Sequence, residues 1–372
     1  MKYKTLKDIG DINGKKILVR FDFNVPIQNG EITDDYRIKK SLPTLEFLKQ
    51  KGAKIIIISH IEGESDSLKP VYEFLKESQP ITFCEDCLEN GKECVEQLHD
   101  GEILLCENLR LYDGEKKNDE NFAKKLASLA DYYVNDAFSV SHRRHASVVA
   151  VAKLLPGFMG LQLEAEVEHL SKAFNPEKPF VFIIGGAKFD TKMPLVEKFL
   201  PLADTIFIAG AMAHDFYKAQ GLEIGTSRVS DETINLTTLL THPKVLLPID
   251  VVVSSPRGKQ TKKPTDVLKD EKIVDAGEET VALLAERAKD AATILWNGPL
   301  GYYEGNFKEA TLNLAQVIAH SKAFSILGGG DTLAAISELG LEEKFGFVST
   351  GGGAMLDFLS QGSLPGLEVL HR

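Results

Sequence analysis

PFVFIIGGAK, residues 179–188, is an aromatic and β-branched run, Phe180 to Ile184, that passes directly into Gly185-Gly186 and then a lysine. The run reads as a strand that ends in a glycine turn. The same figure returns four times further on, in TIFIAGAM (205–212), TILWNGPLG (293–301), AFSILGGGD (323–331) and FVSTGGGA (347–354). Five strand-to-glycine turns in one half of a chain suggest a ligand lying across one sheet edge.

Outward from that stretch, the first half has the same grammar without the glycines. Lys16 to Phe21, Lys54 to Ile58, Ile81 to Cys84, Ile103 to Cys106 and Tyr132 to Val134 are short β-rich runs separated by amphipathic segments. Strands alternating with helices imply βαβ units and a parallel sheet, hence an α/β class. The segment from Thr33 to Lys51 shows one such helix: Thr33 and Asp34 can cap it, Ile38, Leu42, Leu45 and Leu48 give its apolar face, and Gly52 stops it. Pro43 inside it predicts a kink or a break. Between the halves, Leu161 to Phe174 sits between Pro156-Gly157 and Pro176 and reads as a linker helix.

The 372 residues, 43% hydrophobic, are enough for two ordinary domains. A formal charge of -11 argues against nucleic acid or an anionic membrane as the main partner, so an anionic ligand needs a local basic pocket. No apolar stretch reads as a secretory signal or a membrane span, which places the chain in the cytoplasm. Cys84 and Cys87 form a C-x-x-C that zinc could use, but Cys94 and Cys106 do not repeat the spacing, so the four read as reduced, structural thiols.

In an open parallel sheet, ligands gather beyond the carboxyl ends of the strands. Asp22 and Asn24 follow the first strand, His60 the second, Glu107, Asn108 and Arg110 the fourth, and Asn135 and Asp136 the fifth. Of only nine arginines, Arg37, Arg110, Arg143 and Arg144 fall in or beside these loops, with His142 and His145. Guanidinium forks match carboxylate and phosphate oxygens, so an anionic metabolite is the natural guest; solvated loop charge is the ordinary alternative.

The glycine turns of the second half suit phosphates, because backbone N–H groups at a helix start favour negative charge. Gly328-Gly329-Gly330-Asp331 and Gly351-Gly352-Gly353 fit, although any single triplet is as readily explained by close helix packing. Lys188 and Lys192, four apart, are expected to present both ammonium groups on one helix face. Asp331 is a hard oxygen ligand for Mg²⁺, or else a helix cap. Neither the dinucleotide nor the P-loop fingerprint occurs, which argues against a nicotinamide-dependent dehydrogenase.

Taken in order, the segments VRFDFNVP (19–26), DDYRI (34–38), Ser59-His60, LLCENLR (104–110), YVNDAF (133–138) and HRRHAS (142–147) resemble phosphoglycerate kinases. The resemblance continues through GGAK (185–188), WNGPLG (296–301), GGGDT (328–332), STGGGA (349–354) and LPG (364–366), nearly the whole chain. It implies two doubly wound, Rossmann-like parallel-sheet domains with a cleft between them. Their ranges would be residues 1–158 for the substrate, a linker helix at 159–176, 177–360 for the nucleotide, and 361–372 returning to the first domain.

The activity implied is reversible phosphoryl transfer from 1,3-bisphosphoglycerate to Mg-ADP, giving 3-phosphoglycerate and ATP in glycolysis, by a hinge-bending cytoplasmic monomer without nucleic-acid or membrane partners. By motif position, Asp22, Asn24, Arg37, His60, Arg110 and Arg143 would bind the glycerate. Lys188, Lys192, Gly210, Asn297, Glu304, Gly328, Gly329, Gly330, Asp331 and Thr332 would attend ADP or ATP, with Glu304 on the ribose and Asp331 on Mg²⁺. Arg37 and Lys188, with the N–H groups of Gly330 and Gly353, would stabilise the migrating group.

Two departures stand out. Where such kinases usually read S-H-[LI]-G-R, this chain reads Ser59-His60-Ile61-Glu62-Gly63, without the arginine. Before the second lysine it has Thr191 rather than aspartate, with Asp190 one place earlier. One lost charge-assisted phosphate contact costs roughly 1.5–3 kcal/mol of binding, and Arg144 is a candidate replacement. A catalytically weakened, nucleotide-binding sensor or scaffold is therefore the alternative reading.

Overall fold

The computed structural model describes residues 3–63, 65–230 and 236–371, so the first and last residues of the expected domain ranges lie outside the described set. The chain divides into two compact units, Met1–Glu168 with Gln361–Arg372, and His169–Ser360. The division falls within the helix Leu161–Ser171, which a 3₁₀ turn, Lys172–Phe174, continues.

The first unit is built on a six-stranded parallel sheet, in spatial order Ile81–Cys84, Ile103–Cys106, Lys54–Ile58, Lys16–Arg20, Tyr132–Asn135 and Gly157–Met159. Ile17, Leu18, Val19 and all four isoleucines from Ile55 to Ile58 are fully buried. Each such side chain stabilises the fold by roughly 1.5–3 kcal/mol relative to exposure, which is why these runs take the central strands. The chain builds outward from Lys16–Arg20 in one direction and then resumes on its other flank with Tyr132–Asn135. That reversal opens a crevice at the strand ends, where Asp22 and Asn135 emerge.

The helix Tyr36–Gln50 follows the expected pattern, with Ile38, Leu45 and Leu48 buried and Gly52 in the left-handed region at φ +71°. Its first N–H is held by Asp34, whose Oδ1 accepts from Tyr36 at 2.9 Å. The expected break at Pro43 does not occur: the helix runs through it without interruption. Proline removes one backbone hydrogen bond, and burial of the apolar face outweighs that loss. At the other end of the chain, Gly366 N–H donates to Ser141 at 2.8 Å and Lys4 N–H to Leu370 at 3.3 Å, fastening the last residues to the first unit.

The second unit repeats the plan, with parallel strands in the order Val245–Leu246, Thr205–Ile208, Phe180–Ile184, Thr293–Asn297, Phe324–Gly328 and Phe347–Val348. Here the order reverses between Phe180–Ile184 and Thr293–Asn297, so Gly185-Gly186 and Asn297-Gly298 flank the crevice. A small antiparallel sheet, Gly258–Lys262, Val251–Ser255 and Lys272–Ala276, is absent from the sequence reading. Its edge strand GKQTK contains no apolar residue and is largely exposed, so no hydrophobic alternation marks it.

Candidate functional site

In the first unit, the loops after the strands converge on a set of charges. Arg37, in the first turn of its helix, places Nη1 3.0 Å from Asp22 Oδ2 and 3.0 Å from the Asn24 carbonyl. Ser139 also donates to Asp22 Oδ2. Burial alone would raise the Asp22 carboxyl; the Arg37 guanidinium, helped by Ser139, outweighs it and holds the group below its usual range. Asn24 Oδ1 in turn accepts from the backbone of Glu62 at 2.9 Å.

His60 is buried beside Arg20, whose Nη2 lies 3.0 Å from its Nδ1. Burial first, and Arg20 second, push the imidazole down to about 2. Arg20 is itself wholly buried, bonded to Ser147 Oγ at 3.0 Å and to the Phe21 carbonyl, and Ser147 carries the contact on to Glu115 at 2.6 Å. Arg143 lies within electrostatic reach of Arg20, His60 and Arg110. All six glycerate candidates, Asp22, Asn24, Arg37, His60, Arg110 and Arg143, thus belong to one connected neighbourhood. Arg144, the candidate replacement arginine, is exposed, and Gly63 is exposed too, at φ +140°.

Other polar residues at the strand ends are occupied by the fold. Glu107 accepts from Ser67 at 2.6 Å and from the Leu68 N–H at 2.7 Å, while Asn108 bonds both backbone groups of Ile61 and the Asp66 carbonyl. Asn135 ties Ser141 at 3.1 Å, and Asp136 accepts the Leu163 N–H at 2.9 Å in the first turn of Leu161–Ser171. Sequence position alone could not separate these loop-holding side chains from those facing the crevice. Nor did it find Arg20, Glu115 and Ser147, whose network joins residues far apart in the chain.

The second unit contains a cavity of about 650 Å³, lined by Gly186, Lys188, Lys192, Gly210, Asn297, Gly298, Glu304, Gly329, Gly330, Asp331 and Gly353, among others. Two helices, Gly330–Glu338 and Gly353–Gln361, begin on this cavity. Their dipoles make its wall attractive to anions. The lysine pair differs from expectation. Lys188 precedes the helix Phe189–Phe199 and is exposed, whereas Lys192 is buried, with Nζ donating to the Gly185 carbonyl. The two share the cavity but not an environment. Burial depresses Lys192 to about 8, against the pull of Asp331.

Gly328 and Thr332 stand back from the cavity. Gly328 is buried, and a Cβ there would meet Met355 Sδ at 2.1 Å. The Thr332 hydroxyl accepts the Gly298 N–H at 3.0 Å, so it acts on the cavity through that backbone. The antiparallel sheet that the sequence concealed contributes Val251, Lys272, Ile273, Val274, Asp275 and Ala276 to the lining.

Mg²⁺ prefers one or two carboxylates plus waters and substrate phosphates. Burial and the nearby Glu304 raise the carboxyl of Asp331, which a bound cation would relieve, so the residue fits that role. Among the described residues no group of three or more His, Cys, Asp or Glu could hold a metal ion by itself. The four cysteines are free thiols, with Cys84, Cys87 and Cys106 buried.

Comparison with known proteins decides what this arrangement belongs to. The family model for phosphoglycerate kinase matches residues 6–362. The chain belongs to the phosphoglycerate kinase family. Phosphoglycerate kinases of Dictyoglomus turgidum and Borrelia garinii subsp. bavariensis are 43% and 41% identical to it, each over 100% of both chains. Among solved structures, the family member from Coxiella burnetii superposes with a TM-score of 0.87 at 36% identity, covering 99% of both chains. That from Pyrococcus horikoshii gives 0.86 at 31% identity, covering 99% of this chain and 98% of the other. Among the described residues no helix is long and apolar enough to cross a membrane.

Proposed function

We propose that this chain catalyses reversible phosphoryl transfer from 1,3-bisphosphoglycerate to ADP, giving 3-phosphoglycerate and ATP. A carboxyl oxygen of the glycerate is the acceptor in the reverse direction. The observation that carries the reading is the second unit's cavity, whose lining brings together two helix starts, Lys188, Lys192 and Asp331. Such a wall suits nucleotide phosphates. Direct phosphoryl transfer needs no covalent nucleophile: it needs in-line positioning and neutralisation of charge on the migrating group.

In this reading Asp22, Asn24, Arg37, His60, Arg110 and Arg143 hold the glycerate in residues 1–158. The neutral His60 donates from Nε2, and the arginines receive the anionic groups. Lys188, Lys192, Asn297 and the backbone at Gly210, Gly329, Gly330 and Gly353 hold the nucleotide in residues 177–360, with Glu304 on the ribose. Gly328 and Thr332 shape that wall from behind. Mg²⁺, bound with the nucleotide, supplies charge neutralisation at the phosphate oxygens, and Asp331 would hold it. Arg37 and Lys188 stabilise the transferred group from the glycerate and nucleotide sides.

Transfer requires the two reactants to be aligned and water to be excluded, so the reading includes hinge bending about residues 159–176. A cytoplasmic monomer completes it; free thiols suit a reducing compartment. A binding-only sensor draws no support from relatives named as kinases over their full length. The test is a coupled assay with 3-phosphoglycerate and Mg-ATP. Wild type should turn over, and Arg37→Ala and Lys188→Ala should each lower kcat by on the order of 10²–10³. A purified, folded chain inert to these substrates would refute the reading.

A further inference from the structure

The loop after Lys54–Ile58 carries an acid into the cationic set of the first unit. Glu62 is anchored by its backbone N–H on Asn24, and its Oε1 stands 3.4 Å from Arg110 Nε and 3.5 Å from Lys116 Nζ. The two side chains of the first pair are unequal: Arg110 is 6% exposed and Glu62 45%. Arg110 Nε and Nη2 are buried without a hydrogen-bond partner among the described residues, so the Glu62 contact compensates charge without satisfying the donors. Burial lowers the pKa of the guanidinium, and Glu62 is the foremost charge acting against that.

A buried guanidinium with idle donors is a costly arrangement unless something accepts from it. Glu62 supplies charge but no hydrogen bond, from a half-exposed side chain that can turn to solvent with little loss. An incoming phosphate offers more acceptor oxygens and more charge, and it repels the carboxylate in its way. Among the described residues, and apart from its chain neighbours, Gly63 has no heavy atom within 4 Å of where a Cβ would lie, so the loop there is not tightly packed.

We propose that Glu62 is the resident counter-anion of Arg110 and Lys116, displaced by the anionic group of the substrate and therefore setting substrate affinity at this position. The proposal rests on the reading of Arg110 as a ligand of the glycerate. Glu62 acts through Arg110 and Lys116 and is a positioning residue. Its charge lowers affinity, so its removal raises it, which is a gain that structural damage does not produce.

The experiment is a calorimetric titration of the full-length chain with 3-phosphoglycerate and, as a bare probe, inorganic phosphate. Glu62→Gln keeps the size of the side chain and removes its charge. The variant should bind both ligands about two- to fivefold more tightly than wild type, the range of a part-exposed ion pair, and raised salt should shrink the gain. In Glu62→Gln/Arg110→Ala the gain should vanish. Unchanged or weaker binding by Glu62→Gln, while Arg110→Ala binds 3-phosphoglycerate poorly, would overturn the proposal and leave the substrate reading standing. If Arg110→Ala binds 3-phosphoglycerate as wild type does, the reading of Arg110 fails and the proposal with it.

Discussion

Arg20 Nη2 and His60 Nδ1 lie 3.0 Å apart in the interior of the first unit. An arginine has donors and no acceptor, so the imidazole must accept at Nδ1 and carry its proton on Nε2. The sequence places His60 in the loop after the second strand; the contact with Arg20 adds its tautomer.

The neutral tautomer has a cost in acid. The folded pKa of about 2 lies far below the ordinary 6.5, with burial as the chief cause. A group depressed in this way stabilises the fold above the unfolded value, and the contribution is lost as pH falls, because only the unfolded chain then takes up the proton. The loss is about 1.4 kcal/mol per pH unit below 6.5 for this one side chain. In urea unfolding at pH 6.5 and pH 5, the stability of wild type relative to His60→Gln should fall by about 2 kcal/mol. A difference independent of pH would mean that His60 titrates alike in the folded and unfolded chain.

Lys192 titrates in an accessible range. Burial brings it to about 8, and bound phosphates favour its charged form. The affinity for ADP should therefore be full below pH 8 and decline above it, by up to about tenfold per pH unit. Lys192→Met should bind ADP more weakly at pH 7 and with no such decline. Titrations between pH 7 and 9.5 check this, and a flat wild-type profile would remove Lys192 from the phosphate site.

Much of this architecture was legible because burial writes itself into local sequence. Lys54–Ile58, Ile81–Cys84 and Ile103–Cys106 coincide with the runs read from it, and in the second half a glycine follows closely on Phe180–Ile184, Thr205–Ile208, Thr293–Asn297, Phe324–Gly328 and Phe347–Val348. What escaped depends on partners distant in the chain. Arg20 reads as a strand-end charge until Ser147 and Glu115 are seen beside it. Thr332 reads as a ligand from its motif, and only the structure shows its hydroxyl accepting the Gly298 N–H. Glu62, a departure from the family pattern, gains meaning only with Arg110 and Lys116 at 3.4 and 3.5 Å.

The glycines of the second unit divide in the same manner, and two of them make a discriminating pair. Gly298 sits at φ +94°, where a Cβ would lie 2.4 Å from the Gly185 carbonyl oxygen and 2.7 Å from Lys192 Nζ. Gly298→Ala must therefore move backbone and should cost on the order of 3 kcal/mol in unfolding experiments, with nucleotide binding impaired alongside. Gly330 opens the helix Gly330–Glu338, and among the described residues outside its neighbours and its own helix backbone its Cβ would meet nothing within 4 Å. Gly330→Ala should leave stability within about 1 kcal/mol of wild type. Its methyl group would still stand on the cavity wall where phosphate oxygens must approach backbone N–H groups, so ADP affinity should drop on the order of tenfold. A Gly330→Ala chain that is stable and binds ADP as well as wild type would show that this helix start does not meet the nucleotide phosphates.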